Sequence, residues 1–129
     1  MTRVLDASAL LAFLRDEPGA ERVRDALRDK PVIASVNMGE VAHRLTLLGW
    51  PRQEVAAYLD DLPIVTVAVD RELALDAGFA VGLTKPFGLS LADRVCLMLA
   101  KRLSLPALTG DRNWLEIAQA LGVEVELIR

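Results

Sequence analysis

Short apolar stretches alternate with helical ones along the whole chain, and that alternation limits the available folds more than any other feature. Arg3 to Asp6, Val32 to Ser35, Ile64 to Val69, Pro106 to Thr109 and Val123 to Ile128 read as strands. Helices are expected over Ala7 to Leu14, Pro18 to Asp29, Val36 to Leu48, Pro51 to Leu62, Asp70 to Leu83, Ser90 to Leu103 and Arg112 to Leu121. Lys85-Pro86-Phe87-Gly88 reads as a loop. Strands separated by helices pair in parallel, and right-handed crossovers put helices on both faces of the sheet. The expected architecture is α/β: three layers, α/β/α, around a central parallel sheet of about five strands, in one domain over residues 1–129.

In such sheets ligand sites form outside the carboxyl ends of the strands. Four acids far apart in sequence fall at that edge. Asp6 ends the first strand, Glu40 lies in the second turn of the helix after the second strand, Asp93 opens the helix that leads into the fourth, and Asp111 follows the fourth. Each has an ordinary explanation taken singly. Asp6 and Asp111 suit N-caps, Ser90 with Asp93 suits a capping box, and Glu40 suits a solvated helix face. Their conjunction is harder to explain that way, because Asp93 heads a nearly all-apolar helix and Glu40 follows the uncharged Val36-Asn37-Met38-Gly39. Two carboxylates about 4 Å apart repel by roughly 4 kcal/mol at an effective dielectric of 20. A divalent cation offsets that repulsion, and all-oxygen ligands favour Mg²⁺ or Mn²⁺ over zinc. Such an ion activates water and orients a phosphodiester. Ser8 and Thr109, two residues from Asp6 and Asp111, are candidates to orient these carboxylates.

Composition removes other chemistries. His43 is the only histidine, which excludes a two-histidine nuclease and leaves no serine placed for a triad with it. Cys96 is the only cysteine, so no intramolecular disulfide forms and a Cys/His zinc site lacks ligands. No glycine-rich phosphate loop is present. No apolar run approaches the roughly 18 residues a membrane span needs. With no signal-peptide layout at its start, the chain is expected in the cytoplasm. The net charge of −3 argues against a protein that coats nucleic acid, though not against an enzyme that holds it briefly through local charge.

Four segments together resemble the PIN-domain family, and within it the VapC toxins of toxin–antitoxin pairs. They are Val4-Leu5-Asp6-Ala7-Ser8-Ala9-Leu10-Leu11, Asn37-Met38-Gly39-Glu40-Val41, Gly88-Leu89-Ser90-Leu91-Ala92-Asp93-Arg94-Val95-Cys96-Leu97 and Leu108-Thr109-Gly110-Asp111-Arg112-Asn113-Trp114. Each is loose alone; in this order and spacing they are fairly specific and span nearly the whole chain. The resemblance implies a Mg²⁺- or Mn²⁺-dependent endoribonuclease, with Asp6 and Asp93 as principal ligands, Asp111 completing the site, and Glu40 holding a metal or its water. Some members carry a further acid after the last aspartate. Here Asn113 stands nearby as a neutral oxygen donor, which puts a second metal in question. A homodimer and a VapB-like antitoxin are implied as well, with Leu10, Phe13 and Leu14 as candidate groove positions that fit the core equally well.

RNA contact calls for cations near the acids, and Arg94, Arg112, Arg15 and Arg44 are the candidates. Three rivals are weaker. A haloacid dehalogenase-type phosphotransferase wants an aspartate where Ser8 stands. A response-regulator receiver lacks its paired acids beside the first strand. A non-catalytic PIN-like binding module has no use for clustered like charges.

Overall fold

The computed structural model describes residues 1–129. Five short strands, β1 (Val4–Leu5), β2 (Val32–Ala34), β3 (Val65–Val67), β4 (Ala107–Thr109) and β5 (Val125–Leu127), form one sheet in the order β3-β2-β1-β4-β5. Every pairing is parallel. The helices are α1 (Ala7–Leu14), α2 (Ala20–Leu27), α3 (Ser35–Leu47), α4 (Arg52–Asp60), α5 (Arg71–Phe79), α6 (Val81–Thr84), α7 (Leu91–Leu103) and α8 (Trp114–Leu121). A short 3-10 turn over Lys85–Phe87 links α6 to α7.

The two-residue period of the strands builds the layers. Val4, Ala34 and Ala107 pack on one face with α5, α7 and α8, where Leu73, Leu97, Leu99, Trp114 and Ile117 are fully or almost fully buried. Their neighbours Leu5 and Leu108 face the other side, against Ala9, Ala12, Val23 and Ala26 of α1 and α2. Ile33 joins Leu10, Val41, Leu45 and Val55 on that second side. The strands are apolar on both faces, as a sheet covered on both sides requires. No helix is long and apolar enough to cross a membrane.

The winding fixes the site. The chain moves outward from β1 to β2 to β3, then returns to place β4 on the other flank of β1. The order therefore reverses between β1 and β4, and a crevice opens at their carboxyl ends.

Most element ends shift by a residue or two from the sequence reading, Lys85–Phe87 is a 3-10 turn where a loop is expected, and three further differences stand out. The helix expected from Pro18 begins at Ala20, because Gly19 takes φ +98°, where a Cβ would come within 2.8 Å of Ile128. Ser35 opens α3 rather than closing β2. The helix expected to run to Leu83 breaks at Ala80 into α5 and α6. Gly78 and Gly82 weaken helix on either side of that break. The buried Thr84 hydroxyl donates to the Ala80 carbonyl at 3.0 Å, a bond that bends helices.

Candidate active site

Asp6 sits at the switch point. The strand ends there, and the extended Asp6 backbone (φ −91°, ψ 177°) caps α1. Its Oδ1 accepts from the Ala9 N–H and from Ser8 Oγ, both at 2.8 Å. Its Oδ2 accepts from Thr109 Oγ1 at 2.6 Å, a bond that joins the ends of β1 and β4. Ser8 Oγ also lies 2.9 Å from Oδ2 and accepts the Gly110 N–H at 2.9 Å. Thr109 Oγ1 in turn accepts the Asp111 N–H at 3.0 Å. Ser8 and Thr109 thus hold Asp6 and shape the turn that presents Asp111.

All of these donors are neutral. Asp6 is 4% exposed, and burial pushes its carboxyl up to about 6. The bonds from Thr109, Ala9 and Ser8 pull it down, and the charge of Asp93 adds a smaller upward push. Cys96, fully buried on α7 and donating to the Leu5 carbonyl at 3.6 Å, senses the same cluster. Its thiol is raised well above the ordinary value, first by burial and then by Asp6, Asp93 and Glu40.

The other three acids follow one pattern: a local bond anchors one oxygen and leaves the second free. Asp93 Oδ2 accepts the Ser90 N–H at 3.0 Å while Ser90 Oγ accepts the Asp93 N–H, a complete capping box at the start of α7. Asp111 Oδ1 accepts the Asn113 N–H at 3.0 Å. Glu40 Oε1 accepts from Asn37 Nδ2 at 3.0 Å. The capping roles foreseen for Asp6 and Asp93 are therefore real, and they also hold these carboxylates still.

Asn37 escaped the sequence reading as a site residue. It is fully buried in α3, and its amide donates to Glu40 and to the Ala92 carbonyl at 3.1 Å. Two acceptors fix which way the amide points, and its Oδ1 has no partner. One side chain thus ties Glu40 to the start of the helix that carries Asp93. Its spacing was the available signal: Asn three residues before Glu on a helix shares its face.

Asp6, Glu40, Asp93 and Asp111 line one open cleft of about 760 Å³ with Ser8, His43 and Arg44. None of the four acids takes part in a salt bridge. Arg15, Arg94, Arg112, Thr109 and Asn113 do not line the cleft. Arg15 pairs with Glu17 at 3.0 Å, Arg94 Nε donates to the Ser90 carbonyl, and Arg112 donates to the Arg129 carbonyl. Asn113 is exposed and contributes its backbone N–H to Asp111. Leu10 belongs to the core, while Phe13 and Leu14 are half-buried.

The donor set suits a hard divalent cation: carboxylate oxygens, unneutralised, three of them with one anchored and one free oxygen. No three acidic, histidine or cysteine side chains stand close enough to enclose an ion as they are. Mg²⁺ keeps several waters and needs only one or two direct carboxylates.

A family model for the PIN domain matches residues 3–120, and the chain belongs to that family. No curated protein matches it by sequence. Solved structures share its fold at low identity. VapC20 of Mycobacterium tuberculosis, a sarcin–ricin loop cleaving toxin, superposes with a TM-score of 0.74 at 15% identity, over 90% of this chain and 94% of that one. DNA-bound VapBC from Salmonella typhimurium gives 0.73 at 15% identity over 100% of both chains. FitAcB from Neisseria gonorrhoeae gives 0.69 at 22% identity, over 97% of this chain and 96% of that one.

Proposed function

We propose that this chain is a divalent-metal-dependent endoribonuclease and the toxin of a VapBC-type pair. The observation that carries the reading is the cleft: four carboxylates from four separate stretches line it, and no cation neutralises any of them. A binding module gains nothing from that arrangement and bears its electrostatic cost.

Asp6 and Asp93 would hold Mg²⁺ or Mn²⁺, with Asp111 completing the set directly or through water. The bound ion would lower the pKa of water and offset charge on the phosphodiester. Asp6, gripped by Ser8, Thr109 and the Ala9 N–H, is a fixed point of the site. Its burial makes the ionised form costly until positive charge arrives. Glu40, steadied by Asn37 at Oε1, keeps Oε2 free to orient a water and accept its proton. Ser90 and Asn113 steady Asp93 and Asp111 through their backbone N–H groups.

The partner proposed is a VapB-like antitoxin, in keeping with the toxin–antitoxin complexes whose toxins share this fold. Its groove would run past the half-buried Phe13, which lines a hollow of about 240 Å³ with Tyr58, Asp61 and Leu62. A homodimer is part of the same proposal.

Purified protein, free of antitoxin, should cut structured cellular RNA with Mg²⁺ or Mn²⁺ and not with EDTA. Asp93→Asn should lower the rate by at least about a thousandfold, roughly 4 kcal/mol of transition-state stabilisation. A folded Asp93→Asn protein that cuts like its parent removes the site. A folded parent that cuts no RNA favours the binding module.

A further inference from the structure

One wall of the cleft is a single face of α3. Val36, Gly39, Glu40, His43 and Arg44 recur at the three- and four-residue spacing of a helix, and all five line the cleft. The buried face lies next to it, carried by Asn37, Val41 and Leu45. Two features of the exposed face have no structural explanation.

Gly39 is the first. It lies in the interior of a 13-residue helix, where glycine is the poorest residue after proline. Its φ is not left-handed, and a Cβ added there would meet nothing within 4 Å. Neither packing nor backbone conformation needs glycine. Gly78 and Gly82 are equally open, but they do not line the acidic cleft.

Arg44 is the second. It makes no salt bridge and no side-chain hydrogen bond, although carboxylates of the same cleft have free oxygens. The arginines beside Asp93 and Asp111 are bonded to backbone carbonyls, and Arg15 to Glu17. Arg44 is the one guanidinium lining the cleft.

We infer that this face of α3 is the seat of the RNA strand. The inference rests on the nuclease reading above. The bare Cα of Gly39 lets the sugar–phosphate backbone lie against the helix beside Glu40. One turn further on, Arg44 binds a phosphate adjacent to the scissile one, and the exposed His43 ring offers a base a stacking surface. Arg44 and His43 both lie one helical turn beyond Glu40 on α3. These are positioning residues, not catalytic ones.

The test is binding of a fluorescein-labelled, mixed-sequence 20-nucleotide RNA, measured by anisotropy across salt concentrations in the non-cutting Asp93→Asn background. Arg44→Ala should weaken binding about fivefold to tenfold and reduce the salt slope by about 0.7, one phosphate on a single strand. Gly39→Ala should raise the melting temperature by about 3 °C, as a better helix former. It should nonetheless weaken binding several-fold with the slope unchanged. Arg28→Ala, just past the end of α2 and outside the cleft, is the control and should do neither. The opposed signs for Gly39→Ala, more stable yet weaker, are what a merely structural role does not produce. If Arg44→Ala and Gly39→Ala bind like the background protein while the wild type cuts RNA, the seat is elsewhere and the nuclease reading stands. If the wild type neither cuts nor binds RNA, both fall.

Discussion

Two carboxylates of this molecule are held in opposite ways. Glu126, on β5, takes a guanidinium from each of two distant elements: Arg3 at 2.6 Å and Arg22 at 2.7 Å, both on Oε1. Asp6, just past the central strand and more deeply buried, takes only hydroxyls and one backbone N–H. Arginine is therefore available to the fold where a carboxylate only has to be stabilised. At the switch point the fold supplies neutral donors, brings up three further acids and pairs none of the four with a cation. That difference separates a structural carboxylate from one kept ready for a cation.

The largest effect expected from this contrast is a pH dependence. In the fold the Asp6 carboxyl ionises near about 6, and in the unfolded chain near 3.8. Between those values the folded protein holds the extra proton, so stability falls as pH rises. The contribution is complete below 3.8 and lost above about 6, on the order of 3 kcal/mol in all. Urea unfolding in EDTA from pH 4 to pH 7 should show that loss, and Asp6→Asn should flatten it. A wild-type profile as flat as the variant's would mean that Asp6 is not destabilised by burial.

Glu126→Gln should show the converse. It leaves Arg3 and Arg22 facing a neutral group, and stability should drop by about 1–2 kcal/mol at neutral pH because the site is partly solvated. Metal binding and RNA cleavage should be untouched. A loss of cleavage with stability intact would join the two regions that this comparison separates.

The smallest effect sharpens the site itself. Asn37→Ala removes the anchor of Glu40 and the tie to Ala92. The rate of RNA cleavage should fall about tenfold, about 1.4 kcal/mol, with KM for RNA little changed. An unchanged rate would mean that Glu40 needs no anchor.

Local patterns carried much of this into view. All five strands lie inside the stretches whose residue types announced them, and Asp6, Glu40, Asp93 and Asp111 fell at the carboxyl edge because strand ends and helix starts are written locally. Long-range partners were not legible. Glu126 meets Arg3 and Arg22 across 123 and 104 residues, and no spacing rule connects them. Thr109 lies two residues from Asp111 in sequence, but the carboxylate its hydroxyl donates to is that of Asp6, at the end of the neighbouring strand. Asn37 was hidden for a different reason. A buried asparagine looks like any polar residue of a helix until the facing Ala92 carbonyl is in place. The break at Ala80 coincides with a side chain bonding back to the Ala80 carbonyl, which periodicity does not report.

The central claim is that the uncompensated acids form a cation site, and direct Mn²⁺ binding tests it without reference to any RNA. Titration calorimetry at pH 7 with wild type, Asp6→Asn and Asp93→Asn is the measurement. Saturable Mn²⁺ binding by the wild type, weakened at least about tenfold in both variants and competed by Mg²⁺, is the predicted result. A folded wild type that takes up no Mn²⁺ at millimolar concentration, or variants that bind it as well as the wild type, would contradict the account.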